Sequence, residues 1–215
     1  MSAPAVETPS LEREWWLRLL LVVQSPRTTF AALRDDSDDT AGARAEPVLL
    51  TVALAGIAGL LSTNFVGQIL DDADNDHLVV AAAVLVGGVI QGALLYFVLG
   101  AFLSIGLEFA GSGGSYRRDR HVLAFASVPL ALSLLMWPVR LTLYGDDVFS
   151  AGGTDRGAGA SAFEAIELVA LGWTAFLVVV GVRTVESWSW PRALLASVPL
   201  FVLPALALAR AHGLF

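Results

Sequence analysis

The chain has 215 residues, of which 56% are hydrophobic and 15% charged, and its mean hydropathy is +0.69. Soluble domains carry about 25% charged residues, so this composition excludes an ordinary soluble domain and predicts a chain largely surrounded by lipid. It contains no cysteine, which excludes disulfides, thiolate metal sites and a cysteine nucleophile, and its net charge of -7 argues against nucleic-acid binding.

The N-terminal segment begins with a tail and continues as a surface helix. Residues 1–10 are small and polar and are predicted to be disordered. Residues 11–23 are apolar, but Arg18 interrupts the run, which favours a helix in the membrane interface over a signal peptide or an extra span. We therefore expect Trp15 and Trp16 to lie at headgroup depth.

A second short helix is predicted over residues 25–33, where Ser25 can cap the helix and Pro26 suits its first position. The acidic run at 35–39, followed by Gly42, is typical of a solvated linker. Residues 11–45 are thus predicted to be cytoplasmic interfacial helices that end in an acidic linker.

The membrane domain is predicted over residues 46–215. A helix needs about 20 mostly apolar residues to cross a bilayer. Five runs meet this condition, at about 47–70, 78–107, 121–144, 163–182 and 191–209. They are too long for strands and lack the alternation of a barrel. The predicted fold is therefore an all-α integral membrane protein, a bundle of five transmembrane helices.

The arginines predict the orientation of these spans. Five precede the first span, three follow the second and two follow the fourth, so ten lie on one side of the membrane and three on the other. Because arginine-rich loops stay in the cytoplasm, we expect a cell-membrane protein with a cytoplasmic N-terminus and an external C-terminus.

All 13 basic residues are arginine, and the acidic residues cluster at 35–39 and 71–76. Two interpretations stay open. A halophile is favoured, because salt-screened surroundings tolerate acidic surfaces. A GC-rich genome, whose codons favour Arg and Ala, is the alternative.

Polar or helix-breaking residues inside the predicted spans are the first candidates for function. They include two amides on one face of the first span, an amide between two glycines in the second, and a proline in the third: Asn64, Gln68, Gly88, Gln91, Gly92 and Pro129. The Gly-x-x-x-Gly spacing lets another helix approach closely. The favoured interpretation is that these residues pack the bundle, and the alternative is that they line a solute path.

No arrangement in the sequence is typical of catalysis. The three histidines are scattered, without metal-ligand spacing, and no nucleophile elbow is present. We therefore expect no enzymatic activity, no cofactor and no metal. Arg117 and Arg118 follow a glycine-rich turn at 111–115, and we expect them to contact anionic headgroups.

Four short motifs occur in a fixed order along the chain. They are SPRTTFAAL at 25–33, the glycine-rich turn before Tyr116, AFASVP at 124–129, and the Gly-Val-Arg exit at 181–183 before the last span. Their order and spacing resemble those of the Yip-domain family of five-span membrane proteins, over roughly residues 24–210. The two-tryptophan helix and the acidic loop at 71–76 depart from that pattern.

The resemblance implies a non-enzymatic membrane protein, which we expect to be a prokaryotic member. Eukaryotic relatives act in vesicle trafficking through small GTPases; prokaryotic relatives lack that machinery, so the role is not transferred. Our leading hypothesis is a membrane scaffold or membrane-organising protein. We expect it to contact the bilayer, protein partners on the cytoplasmic face, and a second copy bound through small-residue helix faces. The alternatives are a small-solute transporter or channel and an accessory subunit of a membrane complex.

Overall fold

The computed structural model describes residues 11–62, 77–145 and 157–211, and within those ranges the regular structure is entirely helical. Two short N-terminal helices are α1 (Leu11–Leu21) and α2 (Pro26–Ala31), and a 3-10 turn at Ala32–Arg34 follows them. The remaining helices are α3 (Asp38–Leu61), α4 (His77–Phe109), α5 (Tyr116–Ala126), α6 (Val128–Ser133), α7 (Trp137–Tyr144), α8 (Ala158–Glu186) and α9 (Trp190–Ala211). The predicted all-α class is confirmed.

The membrane-spanning character of the bundle follows from helix length and composition. In the described part of the chain, four segments are long and apolar enough to cross a membrane: Asp38–Leu61, Ala81–Phe109, Tyr116–Tyr144 and Ala158–Glu186. A fifth apolar segment, Trp190–Val202, is shorter and belongs to α9. These segments fall on the five predicted runs. The predicted tail at 1–10 and the acidic loop at 71–76 lie outside the described residues.

The first span begins at Asp38, whereas the sequence predicted a start at Pro47. The linker predicted over 35–39 is therefore shorter in the structure. Asp35 accepts hydrogen bonds from the Ser37 amide (3.1 Å) and the Thr40 hydroxyl (3.0 Å), which organise the turn before the helix. Two aspartates then occupy the first turn, where negative charge interacts favourably with the helix dipole. Pro47 consequently lies inside α3.

The third span is interrupted where its sequence predicted a kink. Regular α-helix ends before Ser127, whose amide bonds the carbonyls of Leu123 (3.0 Å) and Ala124 (3.1 Å). Pro129 follows two residues later and is buried. Because proline has no N–H to donate, the hydrogen-bond ladder cannot continue unbroken through this position. The Ser127 hydroxyl also bonds the Ala124 carbonyl (2.7 Å), within the last turn of α5 before the interruption.

Helices α3 and α4 cross with their backbones in contact. A Cβ atom added to Gly56 would lie 2.5 Å from Cα of Gly92, and one added to Gly88 would lie 2.6 Å from Cα of Ile57. In lipid, such close packing is a main source of helix association. The Gly88–Gly92 face therefore packs within the chain, against Gly56 and Ile57 of α3.

The N-terminal helices complete the protein core at one end of the bundle. Trp15 of α1 is 1% exposed, and its ring centre lies 5.9 Å from that of Phe125 on α5. Phe30 and Leu33, from the segment of α2, are fully buried in the same cluster as Leu177 of α8. Since all five spans and both short helices contribute residues to this core, α1 and α2 are integral to the bundle.

Candidate functional site

A network of ion pairs joins the helices at one end of the bundle. We name this the charged end, defined by Asp36, Arg44, Arg117, Arg118 and Glu186. Its innermost member is Arg44 of α3, which is 0% exposed. The guanidinium donates to the carbonyl of Asp35 (2.8 Å) and lies 3.5 Å from the carboxylate of Asp36. It also lies 5.2 Å from the ring centre of Trp15. These contacts offset the large cost of burying a charge.

Arg117 and Arg118 contact carboxylates of their own chain. Arg117 lies 3.0 Å from the carboxylate of Asp38 and 3.5 Å from that of Asp36, and Arg118 pairs with Glu186. The side chain of Arg117 is still 41% exposed, and the expectation that both arginines contact lipid headgroups stays a prediction. Sequence spacing could not identify these partners, because they lie on α3, on the segment before it, and on α8.

The turn before α5 is built into the same network. Ser115 caps the helix by accepting a hydrogen bond from the Arg118 amide (3.1 Å), and its hydroxyl donates to the carboxylate of Asp36. Such caps contribute about 1 kcal/mol to a helix. The start of the third span is thereby tied to the segment that precedes the first.

Two further arginines terminate helices at the charged end. Arg34 donates to the carbonyl of Thr184 (3.0 Å) in the last turn of α8, and Arg192 donates to the carbonyl of Ala110 (3.1 Å), just after α4. Helix C-termini carry unsatisfied carbonyls and a partial negative charge, so cations are favourable there. Arginines predicted to share one side of the membrane thus meet in the structure at one end of the bundle.

The two adjacent tryptophans of α1 have different surroundings. Trp15 is buried in the protein core beneath Arg18 (4.4 Å) and Arg44, and its predicted position at headgroup depth stays a prediction. Trp16, by contrast, is exposed. It shares the outer face of α1 with three other exposed apolar side chains, those of Leu17, Leu20 and Leu21. Water would not favour this face, whereas a membrane interface would.

The predicted intramembrane amides are not brought together in the described residues. Asn64 and Gln68 lie outside that part of the chain. Gln91 is half-buried, and its amide nitrogen lies beside Gly59 of α3. Among the described residues, no group of three His, Cys, Asp or Glu side chains could hold a metal ion.

A cavity of about 470 Å³ lies between α3, α4, α5, α8 and α9. Its volume falls within the range of small-molecule sites. The lining is almost entirely apolar and contains Val52, Ala55, Gly56, Gly92, Leu95, Tyr96, Leu99, Leu123, Ala124, Ser127, Leu130, Leu168, Leu171, Gly172, Thr174, Ala175, Val178, Leu200 and Phe201. Gln91 is not among these residues. The cavity therefore suits hydrocarbon rather than a polar solute.

Arg120 is a residue of this region that was not among the sequence-based candidates. Its guanidinium carbon lies 4.5 Å from the ring centre of Tyr116, 4.6 Å from that of Phe97 and 5.1 Å from that of Tyr96. The sequence shows adjacent aromatic residues at 96–97 and places Tyr116 one helical turn before Arg120. Only the fold shows that α4 and α5 meet there and bring these rings around the guanidinium.

Asp35 is a titratable group beside this network and lies outside the membrane spans. Hydrogen bonds from Ser37, and then from Thr40, hold the pKa of Asp35 below its ordinary value of 3.8. A group with a lowered pKa favours the folded state while it is ionised. Asp35 therefore contributes to the start of α3 at neutral pH.

The chain was compared with protein-family models, curated proteins and solved structures. A model of the Yip1 domain matches residues 20–210, from the last residues of α1 almost to the end of α9. No curated protein and no solved structure matches significantly. The family match confirms the resemblance that the order and spacing of the motifs indicated.

Proposed function

Because the chain belongs to the Yip1-domain family, we propose that this multi-pass membrane protein organises the bilayer around it and has no enzymatic activity of its own. The single observation that carries the proposal is the two-sided character of α1. One side of this helix, with Trp15, Leu19 and Val22, is buried in the protein core. The other side is apolar and exposed. A helix of this kind is attached to the protein and still presents hydrocarbon to lipid.

The attachment of α1 widens the described part of the protein at the charged end. An 11-residue helix is about 16 Å long. Since α1 lies beside the bundle at the charged end, it occupies interfacial space in one leaflet. The other leaflet receives no equivalent element within the described residues. We infer that several copies together favour curvature, because each displaces more lipid on one side than on the other.

The charged end is proposed to face the cytoplasm, since it collects the arginines that the positive-inside rule retains there. With five crossings, the C-terminus is then outside. The absence of cysteine allows a direct test with Arg27→Cys on α2 and Ser161→Cys near the start of α8, both at exposed positions. In intact cells we expect an impermeant maleimide to label Ser161→Cys alone. Labelling of Arg27→Cys before permeabilisation would reverse the orientation.

Reconstitution into vesicles tests the organising role. At a fixed protein-to-lipid ratio, we expect the wild type to narrow or tubulate vesicles, as measured by cryo-electron microscopy. The double variant Leu17→Glu, Leu20→Glu should abolish the effect, because it places two charges on the outer face of α1. Gln24→Glu, Thr28→Glu adds the same charge at exposed positions of the neighbouring segment and should retain it.

Two outcomes would overturn the proposal. One is a wild type that leaves vesicle shape unchanged. The other is an α1 double variant that still reshapes vesicles while its helix content and thermal midpoint match those of the wild type. Equal loss in both double variants would attribute the effect to net charge, not to α1.

The transporter alternative gains no support from the described cavity, whose lining is apolar and excludes Gln91. Self-association remains part of the proposal, but the small-residue face at Gly88 and Gly92 is occupied by α3 within one chain. A second copy would therefore use another face, and crosslinking from the exposed side of α4 would test it.

A further inference from the structure

Arg120, two residues after Arg118 at the charged end, carries a charge that no described side chain neutralises. The arginines that define the charged end each have a carboxylate partner, whereas no carboxylate in the described part of the chain pairs with Arg120. Its Nε atom is buried and has no acceptor there. Three aromatic rings hold the side chain in place, and cation–π contacts stabilise a cation without neutralising it. The partly exposed guanidinium can therefore still bind an anion.

Arg120 also lies at one end of the apolar cavity. Leu123, Ala124 and Ser127 line the cavity and follow Arg120 at three, four and seven residues, the spacing of one helical face. Tyr96 belongs to both features, because it lines the cavity and its ring contacts Arg120. The cation and the cavity are thus two parts of one continuous surface.

The cavity opens towards lipid. Three of its lining residues, Leu95 of α4 and Leu168 and Leu171 of α8, are exposed on the outside of the bundle; Leu168 is 67% exposed. Other lining residues, among them Val52 and Leu200, are buried. A molecule that enters between α4 and α8 therefore comes from the bilayer and meets an apolar interior.

We propose that this surface binds one anionic phospholipid, whose phosphate pairs with Arg120 and one of whose hydrocarbon chains occupies the cavity. The depth of the cavity below Arg120 matches the length of one hydrocarbon chain. Leu130, the deepest lining residue on the third span, follows Arg120 by ten residues, or about 15 Å of helix. Half of a hydrocarbon core of about 30 Å is the same length. This site is independent of the curvature proposed for α1.

The test measures lipid retained by the purified full-length protein. Delipidated protein is mixed with equal amounts of dioleoyl phosphatidylglycerol and dioleoyl phosphatidylcholine, and native mass spectrometry counts bound lipid. We expect one phosphatidylglycerol to be retained at least tenfold over phosphatidylcholine. Arg120→Gln should lower that retention about tenfold, and Arg120→Lys, which keeps the charge, should restore part of it.

Two further variants separate this site from general attraction. Arg183→Gln is the matched control. Arg183, at the end of α8, also lies over an aromatic ring, that of Trp190 (4.9 Å), but Trp190 does not line the cavity. Its phosphatidylglycerol retention should equal that of the wild type. Ala175→Phe fills the cavity without changing charge and should lower retention as Arg120→Gln does.

Several results would overturn the proposal. One is equal retention of the two lipids by the wild type. Another is an equal loss of phosphatidylglycerol retention in Arg120→Gln and Arg183→Gln. A third is displacement of the bound lipid by free glycerol phosphate, because that result would leave the cavity without a role in binding. If Arg120→Gln fails to fold, Ala175→Phe decides: unchanged retention in that variant would show that no chain enters the cavity.

Discussion

The described residues at the two ends of the bundle make different kinds of contact. The charged end combines a fully buried arginine, shared carboxylates, arginine-capped helix termini and the aromatic core around Trp15. The opposite end, which we name the far end, contains the pair of Arg140 and Glu167 (3.6 Å) and a ring contact between Tyr144 and Phe163. Its third span consists of short helical pieces separated at Ser127 and by a 3-10 turn.

This difference follows from the solvent. In lipid, burial of apolar side chains gives helices little reason to associate, because lipid tails are equally apolar. Helix contacts must then depend on polar bonds and on close backbone approach. Polar bonds form where water and headgroups allow charges; among the described residues they concentrate at the charged end, and the glycine crossing of α3 and α4 supplies the close approach. We therefore expect stability to be distributed unequally along the bundle.

The largest effect should come from Arg44→Met at the centre of the charged end. Removing one partner of a buried ion pair costs about 3–5 kcal/mol, because the groups left behind stay buried and unpaired. We expect a loss of about 3 kcal/mol in the free energy of unfolding, measured by denaturant titration in detergent. Arg27→Met makes the same chemical change at an exposed position of α2 and should alter stability by no more than about 0.5 kcal/mol. Equal effects would remove the distinction on which the comparison depends.

The second effect concerns the crossing of α3 and α4, where one substitution should have opposite signs at two positions of α3. Gly56→Ala places a methyl group against the backbone of α4 and should destabilise by about 1–3 kcal/mol. At Gly42, nothing lies within 4 Å of an added Cβ, so Gly42→Ala should stabilise by up to about 1 kcal/mol through helix propensity. Thermal unfolding followed by circular dichroism would measure both. Destabilisation at both positions would contradict the proposed importance of close packing.

A third pair of variants compares the two ends directly. Glu186→Gln breaks the pair with Arg118, and Glu167→Gln breaks the pair with Arg140. We expect Glu186→Gln to lower the free energy of unfolding by about 2 kcal/mol, because a charge-assisted hydrogen bond is lost from a mostly buried site. The pair at Glu167 is similarly buried, but at 3.6 Å it is too long for a hydrogen bond, so we expect its loss to cost about 1 kcal/mol or less in the free energy of unfolding. A larger loss at Glu167, in the same denaturant titration, would show that the far end is the better stabilised one.

The sequence predicted the spans because lipid imposes a simple requirement: about 20 apolar residues for each crossing. It also predicted which arginines share an end, since their alternation between loops is a one-dimensional pattern. It could not distinguish Trp15 from Trp16. Consecutive helical residues point about 100° apart, and only the position of α5 decides which ring is buried.

The candidate site was less predictable for the same reason. Arg44 was placed in a solvated linker, and its burial depends on Trp15 and Asp36 from other segments. The cavity is a gap between five helices that no local pattern encodes. Small side chains leave that gap open, and residues such as Ala55 and Ala175 are equally consistent with tight packing when only their sequence is known.

The smallest expected effect is a pH dependence at the edge of the charged end. The pKa of Asp35 is held below 3.8 by hydrogen bonds from Ser37 and Thr40, so the ionised carboxylate favours the folded state. Its contribution is complete above the ordinary pKa and is lost as the pH falls below 3.8 towards the lowered value. Asp35→Asn should therefore lower the thermal midpoint slightly at pH 7 and match the wild type at low pH. If the two midpoints differ by the same amount at every pH, the side chain of Asp35 acts through packing alone, and the ordered start of α3 does not depend on its charge.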